Sequence, residues 1–465
     1  MSFDTPLYVL FLCAVTLGYR ACPRRFRPAL LLCASLFFYA CWSAPLTLVI
    51  LGVAALTYGC ALGVEKAKKR AAKKIWLAVA VSGCAVLLIW FKYLNFLASS
   101  LFSLFGGSWT PLKILLPVGC SFYTFQALSY VLDVYRGRMK ALRRADHYAL
   151  YICFFSQLVA GPIERAEALL PQLTDAKNPG RQDVFQGLSL LLTGYFRKLV
   201  IADLAAPAVN RAFAAAAPDG WAVFLGTVLF SLQIYCDFAG YSEIAQGSAL
   251  LLGIRLRRNF DRPYLSRTLR AFWRRWHMSL TQWFTDYVYV PLGGSRKGKA
   301  RQIAATLAVF LLSGLWHGAN WTFVLWGLFH GLLCSLEILT GRKETALKSD
   351  RSIILRAGLQ WLITACLTLF SWVLFRAESA GHALALFKSL FSSWSLSAGW
   401  TQLGMGWTEA ACLLAALFQL PLLHRMGQGK KERDSTYFFL FFCILTAWFL
   451  RAAGGGMGSF IYFQF

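Results

Sequence analysis

Long apolar runs recur along nearly the whole chain, and they limit the possible folds more than any single motif does. They lie at roughly 5–20, 28–43, 45–63, 75–97, 114–134, 147–163, 184–208, 221–254, 302–317, 319–340, 353–375, 408–423 and 436–452. A membrane-crossing helix needs about 20 residues, so the runs predict an all-α integral membrane protein with roughly 11–13 transmembrane or re-entrant helices. Alternation of apolar and polar residues around turn signals is missing, which disfavours a membrane β-barrel.

The composition favours the same class. Hydrophobic residues make up 58% of the chain and charged residues 15%, whereas an average soluble domain has about 25% charged residues. The 13 cysteines include no CxxC pair, so neither a redox pair nor a metal site is predicted. We expect these cysteines to be small buried apolar side chains.

Basic residues cluster in alternate loops of the predicted topology. They follow the first, third and fifth apolar runs, at 20–27, 66–74 and 136–144. The positive-inside rule places these loops in the cytoplasm and the N-terminus outside. The start MSFDTPLYVLF lacks a charged leading region and a cleavage site, so the first run is predicted to remain as a helix. The net charge of +26 is explained by this bias and by anionic lipid headgroups, and no nucleic-acid partner is expected.

Three of the six histidines lie in one Trp-rich region, at His277, His317 and His330. An ionisable side chain inside a membrane segment is costly, so it indicates a functional site or a contact between helices. For a single histidine, the interhelical hydrogen bond is the simpler interpretation. Three together favour a reaction site, in which Trp316 and Asn320 flank His317 as supporting residues.

The spacing of His317 and His330 restricts how they can act together. Thirteen residues at 100° per residue turn a helix by about 220°, so a straight helix cannot present both to one cavity. Either the chain bends at 318–320, or His330 has a separate structural role. We expect His277 and His317 to face one cavity and His330 to support it.

The segment between Ile254 and Trp276 carries eight arginines and one aspartate. It is predicted to lie at the cytoplasmic membrane surface, with Phe272, Trp273 and Trp276 as aromatic anchors. One interpretation is anchoring to lipid headgroups alone. The other is a mouth that attracts an anionic acyl donor through Arg270, Arg274 and Arg275.

Few other residues offer chemistry. Asp237 and Glu243, in YCDFAGYSE, are the main acids inside apolar runs and could line a polar tunnel or satisfy a helix bend. The chain has no GxSxG, HExxH or phosphate-binding loop. Repeated rings typical of channels and inverted halves typical of transporters are also missing.

Several stretches resemble the membrane-bound O-acyltransferase family, in its bacterial branch acting in alginate O-acetylation and teichoic acid D-alanylation. They are RAFWRRWHMSLTQWFTDYVYVPLGGSR, LLSGLWHGANWTFVLWGLFHG, LPVGCSFYTFQALSYVLDVYRG, FFSQLVAGPIER, GYFRKLVIAD and YCDFAGYSEIAQGSALLLGI. The resemblance covers about 110–380. It implies one polytopic membrane domain over 1–465, with flanking helices at 1–109 and 381–465.

The resemblance also implies a function. His317 occupies the family's WHG-type motif and His277 matches a second polar position, so both are expected to be catalytic, with histidine as general base. The implied fold is a ring of helices around a central tunnel in the bacterial inner membrane. The implied donor is acyl-CoA or a phosphopantetheinyl-carrier thioester, with no bound cofactor.

The implied product and partners leave alternatives open. An acyl group, acetyl above all, would move toward a cell-surface polysaccharide or an SGNH-hydrolase-like exported partner, with an acyl carrier protein as a further partner. D-alanyl transfer to teichoic acid is one alternative. A non-catalytic membrane conduit for an acyl carrier or a glycan is the other.

Overall fold

Helices and their connecting loops make up the described residues of the computed structural model, which contain no strand. The structure describes residues 1–159, 161–344, 351–392 and 394–406, and residues 410, 414, 443 and 444. The predicted all-α class is confirmed. Most of the 381–465 tail, including almost all of the predicted runs 408–423 and 436–452, lies outside the described residues.

The chain divides into two compact units. The first unit comprises Met1–Leu191 and Ser242–Arg258. Its helices are α1 (Pro6–Ala21), α2 (Arg27–Ala40), α3 (Ala44–Lys66), α4 (Arg70–Leu88), α5 (Leu94–Leu104), α6 (Cys120–Tyr135), α7 (Ala145–Cys153), α8 (Phe155–Leu158), α9 (Ala166–Asp175) and most of α10 (Arg181–Tyr195). A π-helical turn, Ile89–Tyr93, joins α4 to α5 in one long apolar helix.

The second unit comprises Leu192–Tyr241 and the chain from Asn259 onward. Its helices are α11 (Asp203–Ala214), most of α12 (Gly220–Leu250), α13 (Leu269–Arg275), α14 (Met278–Phe284), α15 (Lys299–His317), α16 (Trp321–Leu339), α17 (Arg351–Arg376), α18 (Ala380–Ser392) and α19 (Leu396–Leu403). π-helical turns at Phe196–Ala202 and Thr285–Tyr289 precede α11 and follow α14.

Five helices in the described part of the chain are long and apolar enough to cross a membrane. They are Ala44–Lys66, Arg70–Leu104, Gly220–Leu250, Trp321–Leu339 and Ile353–Arg376. Other predicted runs form shorter helices, such as the 16-residue α6 in the run 114–134. The entry of the shorter apolar helices into the bilayer stays a prediction.

Helices α15 and α16 pack with their backbones in contact. A Cβ atom added at Gly314 would collide with the carbonyl oxygen of Phe323, and one added at Gly327 would collide with that of Phe310. Small residues permit this close approach of membrane helices. The contact brings the end of α15, which carries His317, against α16.

Candidate active site

A cavity of about 270 Å³ lies within the second unit, among α13, α14, α15 and α16. Both His277 and His317 line it. Most of the remaining wall is apolar, from Leu280, Phe284, Val309, Phe310, Cys334 and Ile338. The predicted pair of histidines is therefore brought to one largely apolar space, in which charge interactions are stronger than in water.

His317 is the last residue of α15, and the chain bends directly after it. Gly318 is extended, with φ −162° and ψ 153°, and α16 begins three residues later at Trp321. Of the two alternatives left open by the sequence, the bend at 318–320 is therefore present. Asn320 caps α16 by accepting a hydrogen bond from the Thr322 amide at 3.1 Å. Asn320 does not line the cavity, so its supporting role in the structure is to start α16.

Aromatic rings hold the His317 imidazole in place. Ring centroids of Trp316, Trp326 and Phe375 lie 5.0, 5.2 and 5.4 Å from it, each at a steep angle. Edge-to-face contacts of this kind restrict the orientation of a ring. His317 is only 4% exposed, so its imidazole is presented to the cavity in a defined orientation.

His277 reaches the cavity from the junction between α13 and α14. Its backbone is left-handed, with φ 43° and ψ 54°, and the amide of the next residue, Met278, donates to the carbonyl of Asn259 at 2.8 Å. Rings of Phe238 and Trp316 contact the imidazole at 4.7 and 5.7 Å. Burial lowers the pKa of His277 to about 3, so its imidazole is neutral at physiological pH.

His330 is completely buried and does not line the cavity. The indole Nε1 of Trp273 donates to its Nδ1 at 3.3 Å, so the ring proton of neutral His330 is on Nε2. Trp273 itself lines the cavity. The structure therefore places His277 and His317 on the cavity wall and His330 behind a wall residue.

The arginines of the basic segment differ in their contacts. Arg270 and Arg274 line the cavity, whereas the Arg275 guanidinium lies 3.5 Å from the Glu344 carboxylate. Arg255 and Arg257 belong to the first unit, where they pair with Asp183 and Glu164 at 2.7 and 3.5 Å. Only part of the segment is therefore available to a ligand in the cavity.

The aromatic residues of this segment are not membrane anchors. Phe272 and Trp276 are 1% exposed and stack at 5.5 Å, and Trp273 is 9% exposed. Tryptophan is typical both of membrane interfaces and of protein cores, and here the protein buries the rings. The prediction of aromatic anchoring at 272–276 was wrong.

Known proteins resemble this chain over most of its length. The sequence profile of MBOAT, the membrane-bound O-acyltransferase family, matches residues 145–376. The chain is 36% identical to the probable alginate O-acetylase AlgI of Pseudomonas aeruginosa, over 90% of this chain and 82% of that protein. The chain belongs to the membrane-bound O-acyltransferase family.

Two further relatives of this O-acyltransferase are named for other substrates. A peptidoglycan O-acetyltransferase of Helicobacter pylori is 32% identical, over 84% of this chain and 80% of that protein. A teichoic acid D-alanyltransferase of Streptococcus thermophilus is 28% identical, over 52% of this chain and 61% of that protein. The family resemblance stated from the sequence motifs is confirmed.

In this O-acyltransferase, the acids of the YCDFAGYSE motif do not line the cavity. Asp237 forms a buried ion pair with Lys198, with 2.6 Å between Oδ1 and Nζ, and Lys198 also contacts Asp203 at 3.0 Å. Glu243 belongs to the first unit. The two acids therefore serve different parts of the protein, and neither is placed on the cavity wall.

Sequence reasoning missed two charged residues of the second unit, Lys198 and Glu337. Lys198 is 1% exposed at its side chain and lies in the π-helical turn Phe196–Ala202. Glu337 is the only acid in the apolar sequence of α16. In both cases the available signal was a charge inside an apolar run, the same signal that singled out the histidines.

Proposed function

We propose that this chain transfers an acetyl group from a cytoplasmic thioester to a hydroxyl acceptor, either a cell-surface polysaccharide or an exported acyl-transferring partner. The observation that carries the proposal is that His277 and His317 line one apolar cavity together with Arg270 and Arg274. An acyl transfer needs a base, a space that excludes water, and a means of binding an anionic donor. The cavity offers residues for each of these needs.

Support for acetyl as the acyl group comes from the relatives. The two relatives named for acetylation match most of this chain at 36% and 32% identity, whereas the D-alanyltransferase matches about half of it at 28%. D-alanyl transfer to teichoic acid is therefore the weaker candidate. The relatives are named for different polymers, so the proposal names the substrate class and not one polymer.

In the proposed reaction His317 is the general base. Its neutral imidazole takes the proton from the acceptor hydroxyl as the oxygen attacks the thioester carbonyl. The resulting tetrahedral intermediate collapses, the carbon–sulfur bond breaks, and the proton passes from the imidazolium to the departing thiolate. His277 contributes a second neutral imidazole that binds the acceptor or orients the carbonyl, and the reaction neither gains nor loses a proton overall.

The proposed donor is acyl-CoA or a phosphopantetheinyl carrier, both of which bear phosphate. Arg270 and Arg274 on the cavity wall supply positive charge for it. In this proposal the protein lies in the bacterial inner membrane with its N-terminus outside, because basic loops favour the cytoplasmic side. An SGNH-hydrolase-like exported protein and an acyl carrier protein are the proposed partners.

Purified protein in lipid vesicles with [¹⁴C]acetyl-CoA tests the proposal. We expect radiolabel to appear on an added polysaccharide or on an exported partner, and to be lost when His317 is replaced. The competing candidate is a non-catalytic conduit. That candidate is favoured if the label crosses the membrane on its carrier at the same rate in wild type and in His317→Ala protein.

Removal of the two cavity arginines should weaken donor binding. We expect Arg270→Gln with Arg274→Gln to raise the donor KM roughly tenfold, about 1.4 kcal/mol, with little change in kcat, since uniform binding is lost. The difference should shrink as salt rises, because ions screen exposed charges over about 10 Å at 0.1 M. Steady-state kinetics at two salt concentrations measure both effects.

Arg275→Gln is the matched control, because this arginine is on the same helix but pairs with Glu344 and does not line the cavity. Its KM should stay within about twofold of wild type, which is the range expected for a surface pair. Equal effects of all three substitutions on KM would instead indicate a general attraction to the basic surface. An effect on membrane insertion alone would support lipid anchoring.

A further inference from the structure

Glu337 places a carboxylate in an unusual position. It is 6% exposed and is the only acid in α16, one of the helices long and apolar enough to cross a membrane. Burial of a carboxylate is costly unless several donors satisfy its oxygens. Glu337 therefore needs hydrogen-bond donors for its two carboxylate oxygens.

Both oxygens of Glu337 accept hydrogen bonds from the backbone at the start of α13. The Leu269 amide donates to Oε1 at 2.9 Å and the Arg270 amide donates to Oε2 at 3.1 Å. The Thr268 hydroxyl accepts from the Ala271 amide at 3.1 Å, so the first three amides of α13 all have partners. The amides at a helix start have no partner within the helix, and an acid near them is also favoured by the helix dipole.

Helix α13 depends on such support because it has only seven residues. Isolated helices shorter than about 12 residues are marginal in water. Yet this short helix carries Arg270, Trp273 and Arg274 to the cavity. Its position relative to α16 therefore determines where two positive charges of the cavity lie.

Glu337 does not line the cavity, although its neighbours Cys334 and Ile338 do. Its hydrogen bonds toward the site go to the backbone of α13. Glu344 makes a similar contact with the segment before this helix, accepting from the Arg267 amide at 3.0 Å. Of these two acids, Glu337 accepts hydrogen bonds from amides within α13.

We propose that Glu337 is a positioning residue, which attaches α13 to α16 and thereby holds Arg270 and Arg274 where they bind the donor. The inference rests on the proposed function, because it assigns donor binding to these arginines. Glu337 contacts no substrate. Its effect on the reaction passes entirely through the helix that it caps.

Kinetics of Glu337→Gln test this role. Glutamine keeps the size of the side chain but has one acceptor oxygen where two amides donate, so one of the two hydrogen bonds is lost. We expect the donor KM to rise about fivefold to tenfold while kcat stays within about threefold, as for lost uniform binding. Glu337→Ala should have a larger effect on KM, and the glutamine variant keeps the test usable where the alanine variant fails to fold.

The matched control is Ser335→Ala. Ser335 is a buried polar residue of the same helix, and its hydroxyl donates to the Gly331 carbonyl within α16 at 2.7 Å. Its removal should leave the donor KM within about twofold of wild type. A purely structural role of Glu337 would lower the melting temperature and the active fraction of the protein without changing KM.

A double-mutant cycle decides whether Glu337 acts through the arginines. If it does, Glu337→Gln added to Arg270→Gln and Arg274→Gln raises KM less than twofold further. Full additivity of the KM changes would overturn the inference about Glu337, while the assignment of Arg270 and Arg274 to donor binding would still hold. Failure of the donor site itself has a different signature, because the arginine substitutions alone would then leave KM unchanged.

Discussion

Replacement of His317 by alanine should lower the rate of acyl transfer by about 10²–10⁴-fold, the usual contribution of a general base. The reason is the position of the imidazole on the cavity wall, where aromatic rings orient it. The measurement is turnover of radiolabelled donor by purified protein. Expression should stay near that of wild type, and the melting temperature reports separately any loss of the ring packing around His317.

The control for His317 is His382→Ala. His382 lies on α18, away from the cavity lining, and its Nδ1 accepts from the Glu378 amide at 3.3 Å. Its loss should leave turnover within about twofold, as expected for a surface change. More than about a tenth of wild-type activity in His317→Ala would rule out the assignment of this residue as the base.

Among the variants, Lys198→Met should show the largest loss of folding stability. Lys198 and Asp237 are 1% and 3% exposed at their side chains, and the substitution removes the cation that both Asp237 and Asp203 contact. Breaking a buried ion pair by removing one partner typically costs 3–5 kcal/mol. Thermal unfolding of the purified protein in detergent measures the change.

A second substitution separates charge balance from packing. Asp237→Asn in the Lys198→Met background removes one uncompensated carboxylate, so part of the lost stability should return. Lys177→Met is the control, because its pair with Asp175 is 76% and 57% exposed and its loss should change stability by no more than about 0.5 kcal/mol. Equal melting temperatures for Lys198→Met and Lys177→Met would contradict the structural role of the buried pair.

The parts of the site predicted from sequence are those that depend on local pattern. Apolar runs of spanning length indicated the helices, and the residues at 318–320 offered a bend after His317 as one of two alternatives. Helical periodicity excluded a shared cavity for His317 and His330 only on a straight helix; in the structure the two residues lie on separate helices, and only His317 lines the cavity. Each of these inferences uses residues within about one helix of each other, where geometry follows from the 3.6-residue repeat.

The parts that were missed depend on contacts between distant segments. Glu337 binds amides that are 68 and 67 residues earlier. The Lys198–Asp237 pair joins a π-helical turn to the middle of α12. Composition cannot distinguish such partners, because a charge in an apolar run shows that a partner is needed without showing which residue supplies it. Trp273 and Trp276 were misassigned because tryptophan is typical both of membrane interfaces and of protein cores.

The left-handed backbone of His277 reverses the usual order of stability of an alanine variant and a glycine variant. Glycine adopts this conformation freely, whereas alanine keeps a steric cost of roughly 1–2 kcal/mol, partly offset by the greater freedom of glycine in the unfolded chain. His277→Gly should therefore be more stable than His277→Ala by about 0.5–1 kcal/mol, whereas in a helix interior alanine is favoured by about 1 kcal/mol. Histidine has a Cβ atom, as alanine does, and is therefore also strained in this conformation. The fold is accordingly less stable with an imidazole at this position than it would be with glycine.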